Sequence, residues 1–302
     1  MIIKERSEPS ELVLLKILQA RMKVLEKTVN QIVSLEKGFI GEKMFDQRMI
    51  KLTLDSLTIN DLLLETNNTH YQIDSLLITK PKIHLFEVKN FEGDYLLDGD
   101  CIRFLSGKEI KNPLLQLYRS VSLFRQLLQQ LRINYTVEGH LVYINPEFYL
   151  YNATPDLPII FPSQLDRFVK QLNTQSSRLI ENHHGLANKL LGLHIKDSPY
   201  SRLPGYSFEN LEKGVICGRC GKGFMVSGDH HYLTCKKCNF VENKDAAVLR
   251  SVIEFSLLFP DKRITTNGIY EWCKVIKSKA TIRKLLQENY KHVYYGNSSY
   301  FE

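Results

Sequence analysis

The 302-residue sequence is long enough for two or three folded units. Hydrophobic residues make up 43% and charged residues 24% of it, which is typical of globular protein and excludes a disordered or fibrous chain. No run approaches the roughly 20 apolar residues of a membrane-spanning helix. The charged N-terminus lacks a small-residue cleavage site, so we expect no secretory signal. A formal net charge of +7 is compatible with a polyanionic partner.

The first predicted element is an N-terminal helix. Residues 10–37 contain neither glycine nor proline, and apolar side chains recur there at alternating spacings of three and four, which indicates a helical stripe. The same spacing is typical of coiled coils. We predict a helix within residues 1–37 that ends at Gly38 and either packs on its own domain or forms a homodimer seam. Its stripe consists of Leu15, Leu18, Met22, Leu25, Val29 and Ile32.

Apolar runs of strand length follow. Residues 71–78 and 83–89 are two such runs, and the Lys-Pro-Lys segment between them has turn chemistry, so they are predicted to form a hairpin. Residues 95–97 and 102–104 are predicted to continue the same meander.

An amphipathic helix is predicted over residues 113–128, because its apolar residues lie along one stripe and Asn112 precedes a proline at the first helical position. Residues 140–144 and 157–161 are buried-strand candidates. Strands, a helix and then a returning strand indicate an α/β domain built on a mixed sheet, which we place at residues 38–195.

Three charged residues lie within the two strands of the predicted hairpin. Asp74 lies in its first strand, and Glu87 and Lys89 project to one side of the second, while Phe86 and Val88 project into the core. Two carboxylates supply the hard oxygen ligands that Mg²⁺ or Mn²⁺ prefers, and such a metal activates water for phosphodiester hydrolysis. A lysine beside them is suited to stabilise the transition state. The alternative is a surface ion-pair cluster.

Four short motifs surround these residues in a fixed order. They are Gly38-x-x-Gly41-Glu42, Gln72-Ile73-Asp74, Phe86-Glu87-Val88-Lys89-Asn90 and Asn112-Pro113-Leu114-x-Gln116. Together they resemble the nuclease-related domain, NERD, of the PD-(D/E)XK nuclease superfamily, over roughly residues 36 to 150.

The resemblance implies roles for five residues. Asp74 and Glu87 are expected to be the metal ligands and Lys89 the catalytic lysine. Glu42 is expected to be an accessory acid on the first helix, although a glutamate there also suits the helix dipole. Gln116 is expected to approach the site from the helix after the sheet, the alternative being an ordinary exposed helix residue.

Two Cys-x-x-Cys pairs follow a predicted linker at residues 196–211. With 14 residues between the pairs, this spacing is typical of a closed tetrahedral Zn²⁺ site, and we predict a zinc ribbon at residues 212–245. In a chain without a secretory signal it indicates a reducing, cytoplasmic location. The isolated Cys101 and Cys273 are expected to be buried free thiols. The four predicted ligands are Cys217, Cys220, Cys235 and Cys238.

The ribbon resembles those appended to type I bacterial topoisomerases, which touch single-stranded DNA. Its lysines at 222, 236 and 237 suit phosphates. Phe224 and Tyr232 either stack on bases or form the ribbon's small core. The predicted nucleic-acid-binding residues of the ribbon are Lys222, Lys236 and Lys237.

The last segment, residues 246–302, is basic. Residues 265–276 and 278–286 are predicted to form two helices, and residues 294–301 a hairpin with a Gly-Asn turn, in the order of a winged helix. The second helix presents Lys279, Arg283 and Lys284. These suit a nucleic-acid groove, although a solvated face also explains them.

The predicted fold class is therefore α/β, a PD-(D/E)XK nuclease-like mixed sheet flanked by helices, followed by a Cys₄ zinc ribbon and a winged-helix-like tail. The predicted function is a nuclease that uses Mg²⁺ or Mn²⁺, with Zn²⁺ as a structural ion and DNA as the favoured partner. The first rival is a non-catalytic nucleic-acid-binding protein with an inactive nuclease fold. The second is a protein-interaction adaptor, which leaves the charged strand residues unexplained.

Overall fold

The computed structural model describes residues 1–196, 202–229, 231–295 and 298–302. The helices of this part are α1 Ser10–Arg21, α2 Glu26–Met49, α3 Pro113–Gln130, α4 Pro162–Asn173, α5 Glu181–Gly192, α6 Lys244–Leu258, α7 Thr266–Cys273 and α8 Lys279–Asn289. The strands are β1 Ile2–Lys4, β2 Leu57–Thr66, β3 Thr69–Ile78, β4 Lys82–Lys89, β5 Gly93–Asp98, β6 Cys101–Phe104, β7 Glu109–Ile110, β8 Thr136–Tyr143, β9 Phe148–Tyr151, β10 Ile159–Ile160, β11 Met225–Ser227, β12 Tyr232–Cys235, β13 Val241–Asn243, β14 His292–Tyr295 and β15 Ser298–Phe301.

The chain divides into two compact units. Unit 1 comprises Met1–Pro9 and Ser34–Tyr200, and unit 2 comprises Ser10–Val33 and Ser201–Glu302. Helix α2 therefore begins in unit 2 and continues into unit 1. The sequence predicted five consecutive segments instead, because local pattern does not show that a chain leaves one core and later returns to it.

Unit 1 is built on a six-stranded mixed sheet with the order β1-β2-β3-β4-β8-β10. Strands β2, β3 and β4 are antiparallel neighbours. Strand β8 returns parallel to β4 after α3, and β10 adds parallel to β8. One face of the sheet packs on α3 and α5, and the other on α2 and α4. The mixed α/β architecture with helices on both faces is the predicted one.

The hairpin of β3 and β4 is confirmed. Residues 95–97 and 102–104 also form paired strands as predicted, but they do not continue the same sheet. Strands β5 and β6 pair with each other in a separate four-stranded sheet of order β7-β6-β5-β9. Strand β5 also pairs in parallel with β9, which lies more than 40 residues later in the sequence. This non-local partner, which sequence pattern does not reveal, takes β5 out of the main sheet.

Two strands of the main sheet were not predicted from the sequence. Strand β1 pairs in parallel with β2 although it is only three residues long. Strand β2 is long and buried, but Asn60 and Asp61 interrupt its apolar alternation. At Asp61 the backbone turns through a positive φ of 51°. Leu57 and Ile59 before it and Leu62 and Leu64 after it therefore pack in the same core, although the two-residue alternation is broken.

The predicted single N-terminal helix is two helices, and its predicted end at Gly38 is wrong. The chain breaks after Arg21, and α2 then runs through Gly38 to Met49. Leu15 and Leu18 are fully buried, whereas Leu25 in the break is 67% exposed. Because Leu18 packs in the core of unit 2, the apolar stripe of α1 packs within its own unit.

Unit 2 has one core that includes segments predicted to be separate. Trp272 lies at its centre, with Cys217 and Leu233 from the cysteine segment and Val248 from α6. The predicted linker is also part of it from residue 202 onwards, because Tyr206, Phe208 and Leu211 pack against this core; residues 197–201 lie outside the described residues.

The C-terminal segment has the predicted order of elements. Helices α7 and α8 are followed by an antiparallel hairpin of β14 and β15. The predicted Gly-Asn turn at residues 296–297 lies outside the described residues. Order alone does not make a winged helix, so that assignment stays a prediction.

Candidate functional site

Strand β4 presents different residues to the two faces of the main sheet. Phe86 and Val88 pack into the core beside α2 and α4, as the alternation predicted. Glu87 is on the α3 face and is only 1% exposed. The Nζ atom of Lys89 donates to Glu87 Oε1 at 2.5 Å. Glu87 is therefore buried and Lys89 is only 22% exposed, so the surface ion-pair alternative does not describe them.

Asp74 reaches the same pair from β3. The ladder between β3 and β4 ends with Ser75 opposite Phe86, so that Asp74 and Glu87 are the next residues along the two strands. Beyond that point the side chain of Asp74 takes the place of the ladder, because its Oδ2 accepts a hydrogen bond from Val88 N at 2.8 Å.

Gln116 joins this group from the first turn of α3. The side chain of Asn112 caps the helix by accepting from Leu114 N at 2.9 Å, and Pro113 occupies its first position. Gln116 Nε2 then donates to Glu87 Oε1 at 2.6 Å, and Lys89 Nζ lies 3.5 Å from Gln116 Oε1. The cap therefore sets the position of a glutamine that contacts both members of the pair.

Glu42 on α2 is held through Arg6, a residue that sequence reasoning missed. The Arg6 side chain is 3% exposed and contacts Glu42 at 2.9 Å, Asp46 at 2.7 Å and Asp61 at 2.5 Å. Its Nη2 also donates to the main-chain oxygen of Asp74 at 2.9 Å. One guanidinium thus ties the segment after β1 to α2, β2 and β3.

Asp61 is the second residue that sequence reasoning missed. It lies in an apolar run of β2, has a positive φ of 51° and is 18% exposed at its side chain. Such a conformation is strained for a residue other than glycine and tends to occur at functional sites. Its Oδ2 is buried and has no hydrogen-bond partner. An acid within the apolar β2 run was the available sequence signal.

The carboxylic acids of this group, hereafter the acid cluster (Glu42, Asp61, Asp74 and Glu87), resist ionisation. Burial, together with the charge of Asp74, raises the pKa of Glu42 to about 8 and that of Glu87 to about 7. Burial also raises the pKa of Asp74 and of Asp61. Burial therefore disfavours the charged form of all four carboxylic acids.

Lys89 shows the opposite tendency. Burial by itself lowers the pKa of Lys89, but Glu87 and Asp74 outweigh burial and raise it above its ordinary value. The lysine is therefore a cation at neutral pH. A protonated ammonium donates hydrogen bonds and does not accept a proton, which restricts what Lys89 can do in a reaction.

The acid cluster fits a divalent cation. Glu87 Oε1 is held by Lys89 and Gln116, whereas Glu87 Oε2 is buried without a hydrogen-bond partner. An unpaired buried carboxylate oxygen is costly unless it ligates a cation. Carboxylate oxygens from adjacent strands are the donors that Mg²⁺ or Mn²⁺ accepts, with waters completing the shell. Asp74 and Glu87 are the residues that would hold it.

Packing between Gly41 and Asn90 explains part of the motif spacing around the cluster. A side chain added at Gly41 would place its Cβ 2.5 Å from Asn90 Cβ, so glycine lets α2 approach the end of β4. Asn90 Nδ2 donates to the main-chain oxygen of Lys37 at 2.8 Å. At Gly38 nothing lies within 4 Å, so the structure gives no steric reason for that glycine.

The four predicted zinc ligands come together in unit 2. Their sulfur atoms all lie within 4.8 Å of one another. Cys217 Sγ is 3.6 Å from Cys238 Sγ, and Cys220 Sγ is 3.8 Å from Cys235 Sγ. Backbone N–H groups of Arg219 and Lys237 donate to Cys217 and Cys235 at 3.4 Å. Such a thiol group fits a tetrahedral metal ion.

The predicted nucleic-acid contacts are all on the surface of unit 2. Each of the six side chains is exposed, and Lys284 has an exposed partner in Glu288 at 3.8 Å. Between the cysteine pairs, Tyr232 is 46% exposed, whereas Phe224 is half-buried against Gly214. Tyr232 is therefore available to stack on bases, whereas Phe224 packs against Gly214. The six residues are Lys222, Lys236, Lys237, Lys279, Arg283 and Lys284.

The two isolated cysteines differ. Cys273 is buried, as predicted. The prediction for Cys101 is wrong, because this residue is exposed. It opens β6 directly after the turn at residues 99–100, and hairpin ends protrude into solvent.

Membrane-spanning candidates are absent from the described residues, since none of their helices combines the length and the apolar character that a bilayer crossing requires.

Comparison with known families identifies the region that contains the acid cluster. Residues 37–144 match the nuclease-related domain, NERD. This NERD segment contains Glu42, Asp74, Glu87, Lys89 and Gln116, whereas Arg6, the cysteines and the basic C-terminal segment lie outside it. The match supports a nuclease-related function for unit 1.

Two solved structures show weak likeness to the chain. One is the protein VC1899 from Vibrio cholerae, with 14% identity over 51% of this chain and 39% of that one, at a TM-score of 0.27. The other is Can2 from Sulfobacillus thermosulfidooxidans in complex with cyclic tetra-adenylate, with 14% identity over 55% and 51% and a TM-score of 0.29. The chain thus spans about half or less of each, and scores this low carry no argument. The search of curated proteins found no match.

Proposed function

We propose that this protein is a nuclease that hydrolyses phosphodiester bonds, with DNA as its favoured substrate and Mg²⁺ or Mn²⁺ held at the acid cluster. The observation that carries the proposal is the buried carboxylate of Glu87. Lys89 and Gln116 occupy one of its oxygens, and the other has no hydrogen-bond partner although it is buried beside Asp74. The match of this segment to the NERD domain supports the same reaction class.

The bound divalent ion would lower the pKa of a coordinated water and neutralise charge on the phosphate. Lys89 is cationic at neutral pH, so its part is to donate hydrogen bonds to the attacking water or to a phosphate oxygen. Gln116 positions both Glu87 and Lys89 through its amide. Glu42, with its pKa raised to about 8 by burial, is suited to proton transfer near neutral pH.

Unit 2 is proposed to hold the nucleic acid. The thiol group of the four cysteines would take one structural Zn²⁺. The exposed side chains of Lys222, Lys236 and Lys237 would contact phosphates beside the exposed ring of Tyr232. On α8, Lys279, Arg283 and Lys284 would add further phosphate contacts.

The test is cleavage of circular, linear and single-stranded DNA, and of RNA, by the full chain with Mg²⁺ or Mn²⁺. Lys89→Ala is expected to lower the cleavage rate by roughly 100-fold or more, which is the usual effect of losing one preorganised transition-state donor. The matched control is Lys43→Ala, because Lys43 is an exposed lysine on α2 next to Glu42. That variant should cleave as the wild type does.

Two outcomes would contradict the nuclease proposal. Equal cleavage by Lys89→Ala and wild type, both folded by circular dichroism, would remove the active-site assignment. Salt-sensitive DNA binding without cleavage under any metal condition would favour the non-catalytic nucleic-acid-binding protein instead.

A further inference from the structure

A second polar cluster lies in unit 1, on the sheet face opposite Glu87 and Lys89. His84 on β4 lies directly across from Glu138 on β8 in the parallel ladder. His140 follows Glu138 by two residues, so its side chain is on the same face. These three side chains, hereafter the His–Glu–His cluster, play no part in the proposed hydrolysis.

The ligand atoms of this cluster are spaced for one metal ion. His84 Nδ1 is 3.0 Å from His140 Nε2 and 3.8 Å from Glu138 Oε2. The three ligand atoms all lie within 4.8 Å of one another. Ligands about 2.0–2.1 Å from a tetrahedral Zn²⁺ are separated by ~3.3 Å. The observed separations lie on either side of that value.

Neighbouring side chains hold the two imidazoles in place. The ring of His140 stacks on Phe86 at 5.1 Å and meets the edge of Phe168, also at 5.1 Å. Because the ligands project from two hydrogen-bonded strands, the backbone also fixes their spacing. Little reorganisation is therefore needed for metal binding.

Both imidazoles are in the form that binds metals. Burial lowers the pKa of His84 and of His140 to about 4, so the rings are neutral at physiological pH. His84 is 2% exposed, and its Nε2 is buried with no hydrogen-bond partner. The histidine pair therefore leaves one buried ring nitrogen, His84 Nε2, without a hydrogen bond.

The cluster is reachable from solvent. The side chain of Glu138 is 42% exposed, and His140 is partly exposed. Lys82 contacts Oε1 of Glu138. The other oxygen, Oε2, is the one that faces His84. An ion and a water or small anionic ligand could thus reach the cluster beside the exposed part of Glu138.

We propose that His84, Glu138 and His140 form a binding site for one late first-row divalent ion, such as Zn²⁺, Ni²⁺ or Co²⁺. Two imidazole nitrogens and one carboxylate oxygen suit these ions, whereas Mg²⁺ prefers an all-oxygen shell. The ion would join β4, the strand that carries Glu87 and Lys89, to β8 from the opposite face of the sheet. The proposal does not depend on nuclease activity.

The test uses the zinc-loaded full chain, dialysed against Co²⁺ in excess Mg²⁺. The excess Mg²⁺ competes with cobalt for the acid cluster, and thiolate charge-transfer absorption would reveal any cobalt that replaces zinc at the cysteines. One additional cobalt per chain is expected in the wild type. His140→Ala and Glu138→Gln are expected to weaken its affinity at least tenfold, which is the usual scale for loss of one ligand or its support.

Matched variants separate this site from others. His70 on β3 also pairs with a carboxylate, Glu65, at 3.5 Å, but neither belongs to a group of three potential metal ligands among the described residues. His70→Ala should therefore leave cobalt binding unchanged. Glu87→Gln should do the same if the acid cluster is not the site. If His140→Ala fails to fold, Glu138→Gln decides the test, because the Glu138 side chain is 42% exposed and its replacement should not prevent folding. No additional cobalt, or equal binding by folded Glu138→Gln, would leave only a hydrogen-bonded histidine pair and overturn the proposal.

Discussion

The cysteine centre and the acid cluster are assembled in opposite ways. The cysteine centre in unit 2 takes its ligands from two short turns within residues 217–238. The acid cluster in unit 1 combines residues from α2, β2, β3 and β4, with Arg6 beside them. The first site is local in sequence and consists of ligands alone. The second needs protein cations as well, because buried carboxylates repel one another before any metal arrives.

This difference predicts different consequences when each site is damaged. The cysteine centre should depend on its ion for folding, because its four thiol groups converge on one point, where a bound ion would join the two turns. The acid cluster should tolerate the absence of metal, since Arg6 and Lys89 already offset part of its charge. The following predictions test that comparison, beginning with the largest expected effect.

Replacing a cysteine ligand should have the largest effect. Cys217→Ser is expected to abolish the binding of about one Zn²⁺ per chain, and zinc contributes on the order of 10 kcal/mol to folding in isolated ribbon-like peptides. Trp272 is the single tryptophan and is buried in unit 2. Its fluorescence should therefore report unfolding of unit 2, while metal analysis counts the zinc.

The control for this prediction is Cys101→Ser, because Cys101 is an exposed thiol of unit 1. It should retain its zinc and its Trp272 emission. Full zinc content in Cys217→Ser would show that the four thiols are not the site.

Removal of Arg6 should have an intermediate effect. Arg6→Met leaves the carboxylates of Glu42, Asp46 and Asp61 without their shared cation, and breaking such a buried pair costs about 3–5 kcal/mol. The free energy of unfolding is measured by urea titration with far-UV circular dichroism. An unfolding transition that changes the circular dichroism signal but not Trp272 fluorescence is assigned to unit 1.

Arg48→Met is the matched control, because Arg48 contacts Asp166 at 3.1 Å and both side chains are about half exposed. Its loss should change stability by no more than about 1 kcal/mol. Equal effects of the two substitutions would mean that Arg6 does not organise the acid cluster.

Two glycines of α2 provide the smallest predicted contrast. Gly41→Ala would press a Cβ against Asn90 and should destabilise unit 1 by about 1–3 kcal/mol. A Cβ added at Gly38 would meet no atom within 4 Å, so Gly38→Ala should stabilise the helix by about 0.5–1 kcal/mol. Thermal unfolding of the pair measures both. A stabilising Gly41→Ala would show that α2 is not held close to the end of β4.

Much of the candidate site in unit 1 was predictable from sequence. Asp74, Glu87, Lys89, Glu42 and Gln116 were all singled out, and the structure places them in one connected group. The alternation of β4 predicted its two faces because strand side chains alternate by geometry. Their catalytic roles stay a prediction.

Arg6 and Asp61 were not predictable in the same way. Arg6 follows a strand of only three residues, and Asp61 interrupts the apolar pattern that would have marked β2. Both depend on pairings between distant segments, which leave no local periodicity. The His–Glu–His cluster was missed for the same reason, since β4 and β8 are adjacent only in the folded sheet.

The sequence by itself determined the cysteine spacing, the β3–β4 hairpin, the capped helix α3 and the charged residues between apolar neighbours, because each depends on residues a few positions apart. Only the tertiary structure decided that α1 and the predicted linker belong to the core of unit 2, that β5 leaves the main sheet, and that one arginine gathers three acids. The reason is physical: burial, and the charge pairing it demands, depend on which distant segments meet.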